Sequence, residues 1–239
     1  MRITGLEAFG LGRVDAFRQD IRQVYQGLGR FYSSRYSAEK HRPNWERASL
    51  YFETAVRIDP VKPPPELLKD LGVHLTLVEQ VMDERAVAGY VPDIEEIREA
   101  ELLRSRAERN FRESLLQNPL EPGALFGLGW VLYKKPDYRD AIAQYTIVTT
   151  ITSWAPGDRQ KYLEDAYLNQ AGCYSLLAGP DPNDPSYATA LACLRESKVA
   201  ATEFGRLIEW KMKVEQEVAS RDLRKLQATR AQELTLILT

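Results

Sequence analysis

Residues 128–145 read LGWVLYKKPDYRDAIAQY. Gly129 sits inside an apolar run of helical spacing, where a glycine costs roughly 1 kcal/mol relative to alanine. Leu125, Leu128 and Leu132 recur at that spacing, and after KKPD the residues Ala141, Ile142, Tyr145 and Val148 do so again. The stretch therefore predicts two helices joined by a short turn, which must run antiparallel. One small residue on each helix, Gly129 and Ala141, lets the backbones approach while larger side chains interdigitate on either side. A lone helix pair cannot bury its own apolar faces, so the pattern should recur along the chain.

It recurs three more times. Tyr25, Leu28, Gly29 and Tyr32 share one frame with Leu68, Leu71, Gly72 and Leu75, with Leu125, Leu128, Gly129 and Leu132, and with Tyr167, Gln170, Ala171 and Tyr174. A second frame alternates with the first. Its copies are Ala48, Phe52, Ala55 and Pro60; Ala107, Phe111, Ser114 and Pro119; Ala141, Tyr145 and Val148; and Ala190, Leu194 and Ser197. These residues resemble the tetratricopeptide repeat family, a helix–turn–helix pattern of about 34 residues, over roughly residues 22–202. The third copy follows the family without gaps. In the others the spacing between small residues is stretched: 19 residues from Gly29 to Ala48, 35 from Gly72 to Ala107 and 19 from Ala171 to Ala190.

The resemblance implies an all-α fold, a right-handed superhelix of antiparallel helix pairs. About four repeats fall at 22–60, 65–119, 122–153 and 162–202, as an array over 1–202. The insertions SSRYSAEKHRP and AGPDPNDPS read as segments between the helices of repeats one and four, the latter a loop by its Pro, Asp and Gly content. The insertion in repeat two continues both of its helices. It predicts an elongated hairpin around 77–100, offering Val81, Met82, Val87, Tyr90, Ile94 and Ile97 to each other or to a neighbour. PVKPPPE, 60–66, reads as a stiff corner. Residues 203–235 read as one further helix, part of a capping or extension segment over 203–239. The terminal LTLILT is apolar and strand-like.

Composition removes several functions. The net charge of −2 gives no general pull toward nucleic acid or acidic membranes. An excess of Arg among residues 1–47, with Arg13, Arg18, Arg22, Arg30 and Arg35, is offset by acids elsewhere, which argues against a nucleic-acid partner. No apolar run approaches the ~18 residues that span a bilayer. Residues 1–13, MRITGLEAFGLGR, lack the apolar stretch of a signal peptide. Cys173 and Cys193 form no CxxC, and they read as small buried residues in a reducing, cytoplasmic setting. His41 and His74 have no ligand-spaced partner. Phosphate-binding loops and nucleophile elbows are missing. The sequence therefore predicts no enzyme, cofactor or metal.

What remains is binding. In the family the first helix of each repeat lines the concave face, and alignment places Arg30, Lys69, Phe126, Trp130, Tyr133, Lys134 and Asn169 there, with Gln26, Asp165 and Leu168 among the further positions. Phe126, Trp130 and Tyr133 share one face of a helix that Leu125, Leu128 and Leu132 already pack. This second, aromatic face needs an occupant. A protein or peptide segment from a partner, the chain's own C-terminal helix, and a second copy in a homodimer are the alternatives. The Lys and Asn clamp by which some family members hold a C-terminal carboxylate is not met, since Gln26, Arg30 and Asp70 stand in its place. The reading is a non-catalytic protein-interaction module. Its alternative is a regulatory or sensing domain of a larger enzyme or signalling protein, with the groove filled in cis.

Overall fold

The computed structural model describes residues 5–87, 89–155, 157–181, 183–219 and 223–239, and among them every regular element is a helix. The chain divides into two compact units, 1–117 and 118–239. No helix among the described residues is long and apolar enough to cross a membrane.

The first unit holds α1 (Gly5–Glu39), α2 (Arg42–Ile58), α3 (Pro65–Val87) and α4 (Ile94–Gln117), paired as α1 with α2 and α3 with α4. Its glycines explain the repeated pattern. A Cβ on Gly29 would lie 2.8 Å from the Phe52 ring, and one on Gly72 would lie 2.6 Å from the Phe111 ring. Both rings are buried. The small residue of each first helix is thus the seat for the large residue of the second.

The insertion SSRYSAEKHRP departs from the expected break between helices. It is helical as far as Glu39, and Lys40, with φ at 55°, ends α1. The physical reason lies in α3, which is lengthened alongside. Tyr36 is buried beside Val78, Val81 and Met82 in a cleft of about 420 Å³, and Lys40 pairs with Glu84 at 3.0 Å. On the other helices Arg42 holds Glu99 at 2.5 Å, and Arg104 holds Glu79 at 2.5 Å between α3 and α4. The two arms of the 77–100 hairpin therefore pack on each other. Val81 is buried, while Ile94 and Ile97 stay exposed; the Val87 side chain lies outside the described residues, as do the side chains of residues 1–13, Arg13 among them. At the proline corner the carbonyls of Pro63 and Pro65 accept hydrogen bonds from Gln117 Nε2 (3.0 Å) and Ser114 Oγ (2.8 Å).

The second unit holds α5 (Pro122–Lys134), α6 (Tyr138–Thr150), α7 (Asp158–Leu177), α8 (Pro185–Glu203), α9 (Leu207–Ala219) and α10 (Arg224–Leu238). Glu121 caps α5 by accepting from the Ala124 N–H, with Pro122 at the first helical position. Asp184 caps α8 through Ser186 N at 2.8 Å and also holds Gly179 N at 2.8 Å. Residues 203–235 are not one helix. Gly205, with φ at 69°, breaks the chain before α9, and α10 begins a separate helix that includes LTLIL, so the strand-like reading of the terminus fails as well. The alternation of LTLIL is overridden by tertiary packing: Leu234 and Ile237 bury on α7 and α8 with Trp210, Val214, Leu223 and Leu226.

A Cβ on Gly129 would lie 2.7 Å from the fully buried Tyr145 ring. The sequence pairs Gly129 with Ala141; the structure instead gives its space to Tyr145. Gly129→Ala should therefore lose about 1 kcal/mol net, overpacking outweighing the gain in helix propensity. In a Tyr145→Leu background the same change should stabilise by up to about 1 kcal/mol. Urea unfolding of the four-protein cycle reads this directly. A Gly129→Ala effect of equal sign in both backgrounds would refute the ring-seat account.

Candidate functional site

The aromatic face of α5 is present, and each residue on it is half-buried. Phe126 is held edge-on by Tyr145 (centroids 5.6 Å, interplanar 61°) and tilted against Tyr162 of α7 (5.7 Å). Tyr133 packs on Tyr138 across the α5–α6 turn at 5.9 Å. Lys134 lies over both the Trp130 ring, at 5.5 Å, and the Tyr133 ring, at 5.9 Å. Trp130 sits between two residues whose rings are fixed inside the unit, and it is itself only partly buried. The arrangement is a preformed ledge with a cation at its end.

Asn169 stands on α7 beside the buried Tyr145 hydroxyl, which has no hydrogen bond of good geometry. Burial pushes the Tyr145 phenol well above its ordinary range, the neighbouring Cys173 adds to this, and Asn169 opposes it. Asn169, itself partly exposed, thus stands next to the buried phenol of α6. Gln170 joins the same helices by donating to Thr146 Oγ1 at 2.8 Å.

The C-terminal helices reach α7. Lys213 Nζ of α9 donates to Asp165 Oδ1 at 2.6 Å and to Glu164 Oε1 at 3.0 Å. Its pKa is raised, since Asp165 and Glu164 outweigh the downward pull of its own burial. Leu168 is core, packed with Trp210 and Val214. The resemblance puts Asp165 and Leu168 among the groove positions; here Lys213 of α9 holds Asp165, and Leu168 is buried in the cluster of Trp210 and Val214. That contact had no signal in the sequence, because Lys213 and Asp165 are 48 residues apart.

In the first unit Arg30 Nε donates to Asp70 Oδ2 at 2.6 Å, and Gln26 Nε2 donates to the same oxygen at 2.6 Å. Glu66 lies 3.8 Å from Arg30, and Lys69 Nζ lies 3.9 Å from Asp70. These residues tie α1 to α3.

Among the described residues no three His, Cys, Asp or Glu side chains gather as metal ligands. Cys193 is pushed up to about 11 by burial, so its thiol stays protonated at neutral pH. His74 is buried between Trp45, Ser33 and Ser49.

No protein-family model matches the chain. Comparison with curated proteins finds no match. Among solved structures, PilF of Pseudomonas aeruginosa superposes with a TM-score of 0.54 at 16% identity, over 90% of this chain and 78% of that one. A tetratricopeptide repeat protein from Parabacteroides merdae is 16% identical over 90% of this chain and 88% of that one, but its TM-score of 0.22 carries no weight. The deciding observation is the recurrent glycine-under-ring packing within consecutive antiparallel pairs. The fold is tetratricopeptide-like.

Proposed function

We propose that the protein is a non-catalytic interaction module that binds a protein or peptide segment on the α5 ledge. The partly buried Trp130, seated between the anchored rings of Phe126 and Tyr133 with Lys134 over its ring, carries this reading. A rigid aromatic beside a cation loses little conformational freedom on binding, which is what makes Trp and Tyr frequent anchors. The segment it suits presents an apolar side chain to Trp130 and an acidic group to Lys134. The four pairs at 22–60, 65–119, 122–153 and 162–202 form the array in this proposal, and α9 and α10 close its C-terminal end. Filling of Asp165 and Leu168 by α9 leaves the ledge to an outside segment.

The test is selection of a displayed random-peptide library on the intact protein, with affinities of enriched peptides measured by fluorescence anisotropy. Trp130→Ala should weaken them by about 2 kcal/mol, roughly 30-fold, with circular dichroism unchanged. Peptides that bind Trp130→Ala and Tyr133→Ala as tightly as the parent protein would exclude the ledge as the site.

A further inference from the structure

Within α1, residues 14–20 run on past the end of α2. α1 spans 35 residues and α2 only 17, and α2 ends where Arg22 meets Asp59 at 3.9 Å. Residues 14–20 are all exposed. An isolated stretch of helix is marginal in water unless a face of it is packed. This one carries a continuous apolar stripe: Val14, Phe17, Ile21, Val24, Leu28 and Phe31, alternating by three and four residues. Val14 (48%), Phe17 (65%), Val24 (62%) and Phe31 (52%) are exposed, and Ile21 and Leu28 are half-buried. At about 100° per residue, the stripe lies roughly opposite Gln26 and Arg30, which face α3. The three–four alternation is the seam of a helix that pairs with another helix.

We propose that the occupant of this stripe is α1 of a second copy, packed antiparallel. The stripe is self-complementary in that direction. Val14 meets Phe31 of the second copy, Phe17 meets Leu28, and Ile21 meets Val24, so the six positions pair without a gap about an axis between residues 22 and 23. The overhang of each copy, 14–20, then covers the exposed part of the other's stripe. Charge selects the direction. In a parallel pair Arg35, the next residue of the stripe, would face Arg35 of the second copy, like against like. Antiparallel pairing carries Arg35 past the end of the seam, sets Arg18 beside Tyr25 of the second copy, and places Asp20 across from Gly27, with no like charges opposed. An isologous two-fold contact of this kind closes on itself. It is separate from the α5 ledge and does not depend on it.

The experiment is sedimentation equilibrium of the full chain from about 1 to 100 µM, with one double variant that alters only exposed positions, Phe17→Glu with Val24→Glu. The parent should show a concentration-dependent mass reaching that of a dimer, and the double variant should have its dimer dissociation constant raised at least about 100-fold. Direction is read by oxidative cross-linking in a Cys173→Ala, Cys193→Ala background. Val14→Cys mixed with Phe31→Cys should form the mixed disulfide, and Val14→Cys alone should not link to itself. A parent that stays monomeric at 100 µM, a dimer indifferent to the two glutamates, or self-linking of Val14→Cys would each overturn the proposal.

Discussion

Lowering the pH from 7 to 4 should remove about 3 kcal/mol of stability through His74 alone. The imidazole is fully buried, stacked on Trp45 at 5.1 Å, with Ser49 Oγ 2.9 Å from Nε2 and Ser33 Oγ 3.2 Å from Nδ1. Burial lowers its pKa from 6.5 to about 3; the Trp45 backbone opposes this, and Arg106 and Arg42 add to it. Between those two values the unfolded chain takes up a proton that the native protein refuses. Stability contributed by the neutral ring is complete above about pH 6.5 and falls by about 1.4 kcal/mol per pH unit until the folded pKa is reached. The check is urea unfolding at half-unit steps for the parent and for His74→Gln. Glutamine keeps a donor and an acceptor for the two serines and does not titrate. The variant should be less stable at pH 7, since it loses the stack on Trp45. Its stability should also decline less steeply between pH 6.5 and 4, with carboxylates such as Glu39 and Glu96, whose pKa values are lowered, supplying the remaining slope. Parallel curves for the two proteins would mean that His74 is already hydrated or charged in the native state.

His74 also marks where the sequence could be read and where it could not. The frame around Gly72 located α3 and its partner Phe111, because a small residue under a ring is a local pattern that repeats. That His74 would be buried neutral was not legible. It depends on Ser33 and Ser49, 41 and 25 residues away, and on Trp45 lying flat against it. The same division holds elsewhere. Spacing alone puts Phe126, Trp130 and Tyr133 on one face, whereas the bond from Arg30 to Asp70 of α3 joins residues 40 apart and has no local signal. The sequence places SSRYSAEKHRP between the two helices of repeat one, yet it is helical as far as Glu39. Its helix is stabilised by the burial of Tyr36 against α3, a contact that no window of the sequence displays. The division of 203–235 into two helices turns on Gly205 and on the apolar cluster that α9 and α10 share with α8.

That cluster bears the largest expected mutational effect in the second unit. Trp210→Ala should cost about 4 kcal/mol, within the range for removing a buried large aromatic. Trp210 has no exposed surface, and its Nε1 donates to Ser197 Oγ at 2.9 Å. Ser197 in turn donates to the Glu164 carbonyl at 3.0 Å, so the serine keeps one bond and the cost is chiefly that of the cavity. α9 is 13 residues long and marginal by itself, so losing its central anchor should release it from α8. Release would also remove Lys213 from the Glu164 carboxylate, which is 1% exposed and otherwise has Arg206 at 3.6 Å. Leaving a carboxylate buried beside one distant cation adds to the penalty. Hydrogen exchange by mass spectrometry should show residues 207–219 losing protection first, with 223–238 following because Leu226, Leu234 and Ile237 share the same cluster. α5 and α6 should keep their protection, since the Gly129–Tyr145 seat does not involve α9. Trp210→Phe, which fills most of the space and gives up only the Ser197 bond, should lose about 1–2 kcal/mol. A loss under about 1 kcal/mol for Trp210→Ala, with exchange of 207–238 unchanged, would show that the C-terminal pair is held by α10 and by the Lys198 bond to the Ile237 carbonyl (2.6 Å) instead of by Trp210.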